Sequence, residues 1–248
     1  MTPELVYGRR AVREALRGRR EVLELLVSAR ASSEPWLEGR RVQVRADREL
    51  TELAGTRDHQ GFVARCEPYR YADADELARA GRPLLACLDQ VTDPRNLGAV
   101  CRSAEGAGAT GVVLPAHRSA RVTPAVCRAS AGAVEHLPVA VVPNLARWLN
   151  KVKSGSLWVY AAALDGQPCW EADLRGGLAL VFGAEGKGIR PLVRKACDGA
   201  VSIPLSGQVE SLNVSVAAAV LLYEARRQRG GGGGTRGEQG VLRDGRRG

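Results

Sequence analysis

The segment Gly183-Ala184-Glu185-Gly186-Lys187-Gly188 sets one carboxylate and one ammonium among glycines, directly after the apolar run Leu178 to Phe182. A carboxylate can accept a proton or orient a donor, and a glycine-rich turn lets the backbone approach a ligand closely. At the carboxyl end of a buried parallel strand such a turn is a natural ligand site. It is not a phosphate loop. Too few residues precede Gly186-Lys187, Gly188 stands where Ser or Thr would hold magnesium, and Glu185 would repel a triphosphate. Gly106-Ala107-Gly108-Ala109-Thr110-Gly111 matches the dinucleotide-binding fingerprint letter for letter. That fingerprint needs a strand before it and a helix N-terminus after it, to aim amides at a pyrophosphate. Here the order is reversed, so the run reads as a helix C-cap and turn, and a dinucleotide-dependent oxidoreductase is set aside.

The remaining chemistry-bearing types exclude more than they offer. Cys66, Cys87, Cys101, Cys127, Cys169 and Cys197 contain no C-x-x-C pair, and His59, His117 and His136 have no ligand spacing. No metal site is expected, and the cysteines read as buried thiols of a reducing compartment. No run of eighteen apolar residues suggests a membrane span, and the charged start lacks a signal-peptide core, so a cytoplasmic protein is expected. The formal charge is +9, and only Lys151, Lys153, Lys187 and Lys195 of the 36 basic residues are lysine. Arginine forks onto phosphate and stacks on bases, which suits an RNA partner. A GC-rich genome would give the same composition, and composition alone does not choose between them.

Those residues need elements to position them. Arg9 to Leu16 has helical apolar spacing, with strands expected at Glu21 to Val27, Val42 to Val44 and Phe62 to Ala64 and a helix at Arg48 to Ala54. This gives a small α/β unit over residues 1–67. Six arginines (Arg9, Arg10, Arg13, Arg17, Arg19, Arg20) crowd its first twenty residues, either as a solvated helix face or as an RNA footprint. Residues 68–83, with a proline at each end and an acidic cluster at Asp73, Asp75 and Glu76, are expected to link two domains whose mutual angle is not fixed. From 84 to 229 apolar strand-like runs alternate with helical segments, the pattern of a mainly parallel sheet. Residues 230–248, rich in Gly and Arg, can build no core and are expected to be disordered.

Three segments then become recognisable together. Asp93-Pro94-Arg95-Asn96-Leu97-Gly98-Ala99-Val100-Cys101-Arg102-Ser103-Ala104, Phe182 to Ile189, and Ser202-Ile203-Pro204-Leu205 with Glu210-Ser211-Leu212-Asn213-Val214-Ser215-Val216-Ala217 occur in that order. They resemble the three motifs of the SpoU/TrmH family of RNA ribose methyltransferases. His117 to Ala120 and Ser130 to Glu135 extend the likeness, and Tyr7-Gly8 with His59-Gln60-Gly61 is similar to that family's substrate-binding domain. The pattern sits nearest the members that methylate a guanosine ribose of 23S rRNA.

The resemblance implies an α/β fold that chain-topology rules would exclude: a C-terminal trefoil-knotted parallel-sheet domain behind the small RNA-binding domain. It implies S-adenosylmethionine as methyl donor, RNA (23S rRNA or a ribosomal precursor) as substrate, and a homodimer that completes the active site. It puts Gly183, Ile203 and Leu212 where main-chain groups grip the cofactor, and Asn96, Arg102, Glu185 and Asn213 around the reacting ribose, with Arg102 central. Taken residue by residue, Asn96 and Asn213 could instead be helix N-caps and Arg102 a surface residue. The alternatives for function are the same chemistry on transfer RNA or on an rRNA site of antibiotic resistance, and a non-catalytic RNA-binding protein.

Overall fold

The computed structural model describes residues 2–153 and 157–230. Its first unit contains β1 (Glu4–Tyr7), α1 (Arg9–Ala15), β2 (Val22–Ser28), β3 (Gln43–Arg45), α2 (Asp47–Ala54) and β4 (Phe62–Cys66). These form a four-stranded sheet in the order β1-β4-β2-β3, with β4 antiparallel to both neighbours and β3 parallel to β2. β1 is too short to declare itself by periodicity. It exists because Leu5 and Val6 find partners in Arg65 and Ala64, sixty residues away in the chain.

The acidic segment contributes α3 (Ala74–Arg79), capped by the Asp73 carboxylate, which accepts the amides of Asp75 at 2.7 Å and Glu76 at 3.2 Å. The larger unit follows as β5 (Leu84–Asp89), α4 (Pro94–Gly106), β6 (Gly111–Pro115), α5 (Pro124–Ala129), β7 (Val139–Val142) and α6 (Leu145–Val152). It continues with β8 (Leu157–Pro168), β9 (Gly177–Gly183), α7 (Pro191–Lys195), β10 (Gly199–Ser202) and α8 (Val214–Gly230). The six strands are parallel throughout, in the order β10-β8-β9-β5-β6-β7. Helices α4, α5 and α8 cover one face, and α3, α6 and α7 the other. Strands buried on both sides explain why β5 and β9 read as unbroken apolar runs. Gly230 is the last residue of α8 rather than the first of a tail, and residues 231–248 lie outside the described residues.

The segment read as a linker packs on the larger unit. Ala72 bridges Ala140 beside β7, Asp75 accepts the Trp148 indole N–H at 2.9 Å, and Leu77 is buried against the larger sheet. The acidic segment is thus packed down, not slung between domains. One apolar cluster runs through the seam, joining Val6, Ala11, Val12 and Ala15 to Val126, Cys127 and Val134. At its centre Arg20 donates through Nε to Glu135 at 2.9 Å and through Nη2 to the other carboxylate oxygen. Glu135 is fully buried, and the Arg20 guanidinium also meets Glu4 at 3.2 Å and lies 5.4 Å from the Tyr69 ring centre. Burial opposes the Arg20 charge, but the bonds to Glu135 outweigh it and hold the pKa above its ordinary value. His136 and Glu14 form a second link at 2.9 Å. The partners Arg20 and Glu135, 115 residues apart, were not readable from composition.

Removing one member of such a pair strands a buried charge. Arg20→Ala is expected to cost about 3–5 kcal/mol, read as a lower urea midpoint, whereas the apolar exchange Arg20→Met with Glu135→Leu should recover most of that loss.

Candidate functional site

In the larger sheet the chain moves outward from β5 through β6 to β7, then returns to fill the other side with β9, β8 and β10. The strand order reverses between β5 and β9, and α4 and α7 leave these two strands toward opposite faces. A crevice at the carboxyl ends of the strands follows from that reversal, as in other open α/β sheets.

The loop after β9 is built tightly into this crevice. A Cβ at residue 183 would stand 2.1 Å from the Gly188 carbonyl carbon, so only glycine allows the loop to fold back. The Gly188 amide then donates to the Ala184 carbonyl at 2.8 Å, with Gly188 in the left-handed region at φ 64. Beyond it, Arg190 is clamped to Asp89 at the end of β5: its backbone N–H donates at 2.8 Å and its Nε at 2.8 Å. The Asp89 side chain has no exposure to solvent. Sequence reasoning passed over this pair. The available signal was a lone carboxylate closing an otherwise apolar strand, which has to be paired to be buried.

Three of the four expected polar residues meet on this loop. Asn96 Nδ2 donates to Glu185 Oε1 at 3.1 Å, Asn213 Nδ2 donates to Asn96 Oδ1 at 3.1 Å, and Asn213 Nδ2 also bonds Glu185 Oε1. Two amides therefore fix one carboxylate. The N-cap alternatives divide. Asp93, not Asn96, caps α4, accepting the Arg95 amide at 2.8 Å, and Asn96 sits inside the first turn. Asn213 does both jobs: its Oδ1 accepts the Ser215 amide at 2.9 Å at the head of α8 while its amide nitrogen faces Glu185.

Behind the carboxylate lies a cavity of about 660 Å³, walled by Leu164, Phe182, Ile189, Ile203, Leu205 and Leu212 and reached by Gly183 and Glu185. Gly183, Ile203 and Leu212 thus come together as expected. Arg102 does not join them. Six residues after Asn96 on α4, it is turned about a third of the way around the helix, toward the front unit. There it lines a separate cavity of about 650 Å³ with Arg9, Arg10, Arg95 and Arg128. The thiols take no part: burial pushes Cys101 and Cys127 up to about 12, so they stay protonated. Among the described residues no three His, Cys, Asp or Glu side chains gather as a metal site, and no helix is long and apolar enough to cross a membrane.

Because Asp89 pins the far end of the loop, Asp89→Ala should lower stability by about 2–3 kcal/mol. Limited proteolysis should then find a new cleavage site between residues 183 and 190, absent from the parent protein.

Comparison with known proteins agrees with this geometry. The model of the SpoU rRNA Methylase family matches residues 83–223, and that of the RNA 2′-O ribose methyltransferase substrate-binding domain matches residues 5–72. The chain is 48% identical over 185 residues to the 23S rRNA (guanosine-2′-O-)-methyltransferase RlmB of Ralstonia nicotianae, covering 73% of this chain and 74% of that one. It is 38% identical to an uncharacterized tRNA/rRNA methyltransferase of Synechocystis sp., covering 89% of this chain and 62% of that longer protein. Among solved structures, the SpoU methyltransferase AviRb from Streptomyces viridochromogenes in complex with AdoMet superposes with a TM-score of 0.79 at 28% identity, covering 93% of this chain and 92% of that one. Both units, their order and the motif-bearing loops are accounted for, and the chain belongs to the SpoU rRNA methylase family.

Proposed function

We propose that this SpoU-family enzyme transfers the methyl group of S-adenosylmethionine to a ribose 2′-hydroxyl of ribosomal RNA, the acceptor being a guanosine of 23S rRNA. The observation that carries this reading is the Glu185 carboxylate, oriented by Asn96 and Asn213 at the rim of an apolar cavity at the sheet's switch point. The named activity of the Ralstonia relative and the matched substrate-binding domain support the acceptor. All four polar positions of the motifs are retained, which favours catalysis over RNA binding alone.

The cavity suits the proposed donor. Its volume of about 660 Å³ lies within the usual range for small-molecule pockets, and its walls are chiefly apolar. Gly183, Ile203 and Leu212 would hold the donor, the close approach of the 183 and 188 backbones shaping the loop that borders it. When bound, it supplies a sulfonium methyl already electrophilic enough to need no metal activation. The chain's own work is positioning and proton management. Arg102 binds the phosphate next to the target ribose and stabilises the developing alkoxide, since a guanidinium does not serve as a base. The hydroxyl proton would leave to that phosphate or to water, and Glu185 with Asn96 and Asn213 would orient the ribose hydroxyl toward the donor.

A homodimer belongs to the same proposal. Val216, Val220 and Tyr223 form an exposed apolar stripe at i, i+4 and i+7 along α8, and Arg102 stands away from its own chain's donor cavity. A second copy against that stripe would bring complementary halves together. The trefoil knot is supported by the path of the chain after β10: Ile203 and Leu212 return beside Gly183 to line one cavity before α8 packs on α4. Action on ribosomal RNA supports the reading of a cytoplasmic enzyme.

The test is transfer of labelled methyl to 23S rRNA transcribed in vitro, with the modified nucleotide mapped by resistance to alkaline cleavage. Arg102→Ala should slow transfer by about 10²-fold or more without changing donor binding in calorimetry, and Arg102→Lys should not restore it. A wild-type rate in the lysine variant would remove the forked-phosphate role, and a mark on another nucleotide would remove the guanosine assignment.

A further inference from the structure

Between the two units lies the cavity of about 650 Å³ that Arg102 lines. Its walls come from β1 and the start of α1 (Tyr7, Arg9, Arg10), from α4 (Arg95, Arg102) and from α5 (Arg128), with Asp58 the only carboxylate. Arg95 and Arg102 are seven residues apart on α4 and so share a helix face. Among the described residues the guanidinium groups of Arg10, Arg95 and Arg102 form no ion pair or hydrogen bond with the protein. Gathering unpaired guanidinium groups raises electrostatic free energy unless an anion neutralises them. Arg128 is fitted deliberately. A Cβ at residue 8 would lie 2.5 Å from its Cδ, and Gly8 has φ 96, so the turn into α1 is shaped around that side chain. Its Nε donates to the Asp58 carbonyl at 3.3 Å, leaving both Nη groups without a partner in the protein.

We infer that this seam is a phosphate cradle: Arg10, Arg95 and Arg128 bind successive backbone phosphates of the single RNA strand that leads to the target ribose at Arg102. This deepens, and rests on, the reading of the chain as an RNA methyltransferase. A forked donor suits phosphate better than a point charge, which accounts for arginine at every one of these positions. The cradle spans two units, so its spacing is set by the seam. The buried pair of Arg20 and Glu135, with the apolar cluster and the His136–Glu14 link across the seam, joins the front-unit arginines to those of α4 and α5. Sequence identity of the strand is not read here; the cradle sets register and direction, as phosphate contacts do.

The experiment measures binding of 23S rRNA transcribed in vitro to Arg10→Ala, Arg95→Ala and Arg128→Ala across a salt series, with methyl transfer in parallel. Each variant is expected to weaken binding severalfold and to reduce the slope of log K against log salt by about 0.7, with S-adenosylmethionine affinity unchanged. Arg175→Ala, an exposed arginine paired with Asp173 just before β9 at the other end of the sheet, serves as the control and should match the parent. Arg10 and Arg95 are exposed, so their variants report even if the Arg128 variant fails to fold. Parental affinity and slope in the Arg10 and Arg95 variants would overturn the cradle. If the parent methylates 23S rRNA and the slopes do not move, the cradle alone fails. If the slopes fall but the parent transfers no methyl, the cradle stands and the reaction assignment fails.

Discussion

A carboxylate with no exposure to solvent cannot remain unpaired, and Asp89 is one, at the carboxyl end of the innermost strand. Its demand is met by Arg190, which arrives from the loop after the adjacent strand β9 and donates from both backbone and side chain. The pairing ties together the two strands between which the sheet's order reverses. The loop in between can then be short, glycine-shaped and still fixed. Glu185 sits on that loop, so its orientation traces back to a buried charge on a different strand.

Two kinds of electrostatics divide the molecule. At the switch point a single carboxylate is held by neutral amides beside an apolar cavity, an arrangement that orders a small ligand without competing for charge. At the seam, guanidinium groups are gathered and those of Arg10, Arg95 and Arg102 are left without partners among the described residues, an arrangement that suits the proposed polyanion. Arg102 belongs by helix phase to the second environment and by proposed role to the first. The short distance along α4 between Asn96 and Arg102, about 9 Å by helix rise, connects the two. The stiffness of that connection depends on the front unit being fixed. Arg20 with Glu135 and His136 with Glu14 supply it, alongside a continuous apolar core.

Helix capping shows how one residue can carry both architecture and chemistry. Asn213 spends its carbonyl oxygen on the first turn of α8 and its amide nitrogen on Glu185. Asking whether it is a cap or a site residue separates roles that the side chain holds at once, because an amide has a donor end and an acceptor end. Asn96 differs only because Asp93 has already taken the cap of α4.

Local pattern was enough to determine the α/β class, the strands β5 to β10 and the rejection of both glycine decoys, while resemblance to a known family pointed to the residues at 96, 183, 185, 203, 212 and 213 that the fold gathers around one crevice. Strands buried on both faces announce themselves as apolar runs, and motif spacing survives in the chain itself. The tertiary structure alone decided what depends on partners far apart. β1 became a strand because β4 offered it a ladder, and the acidic segment became part of the core because Trp148 and β7 received it. Asp89 acquired its meaning 101 residues later, at Arg190, and Arg20 acquired its own 115 residues later, at Glu135. Charge and burial are properties of a place in the fold, and a sequence lists charges without saying which of them will be dry.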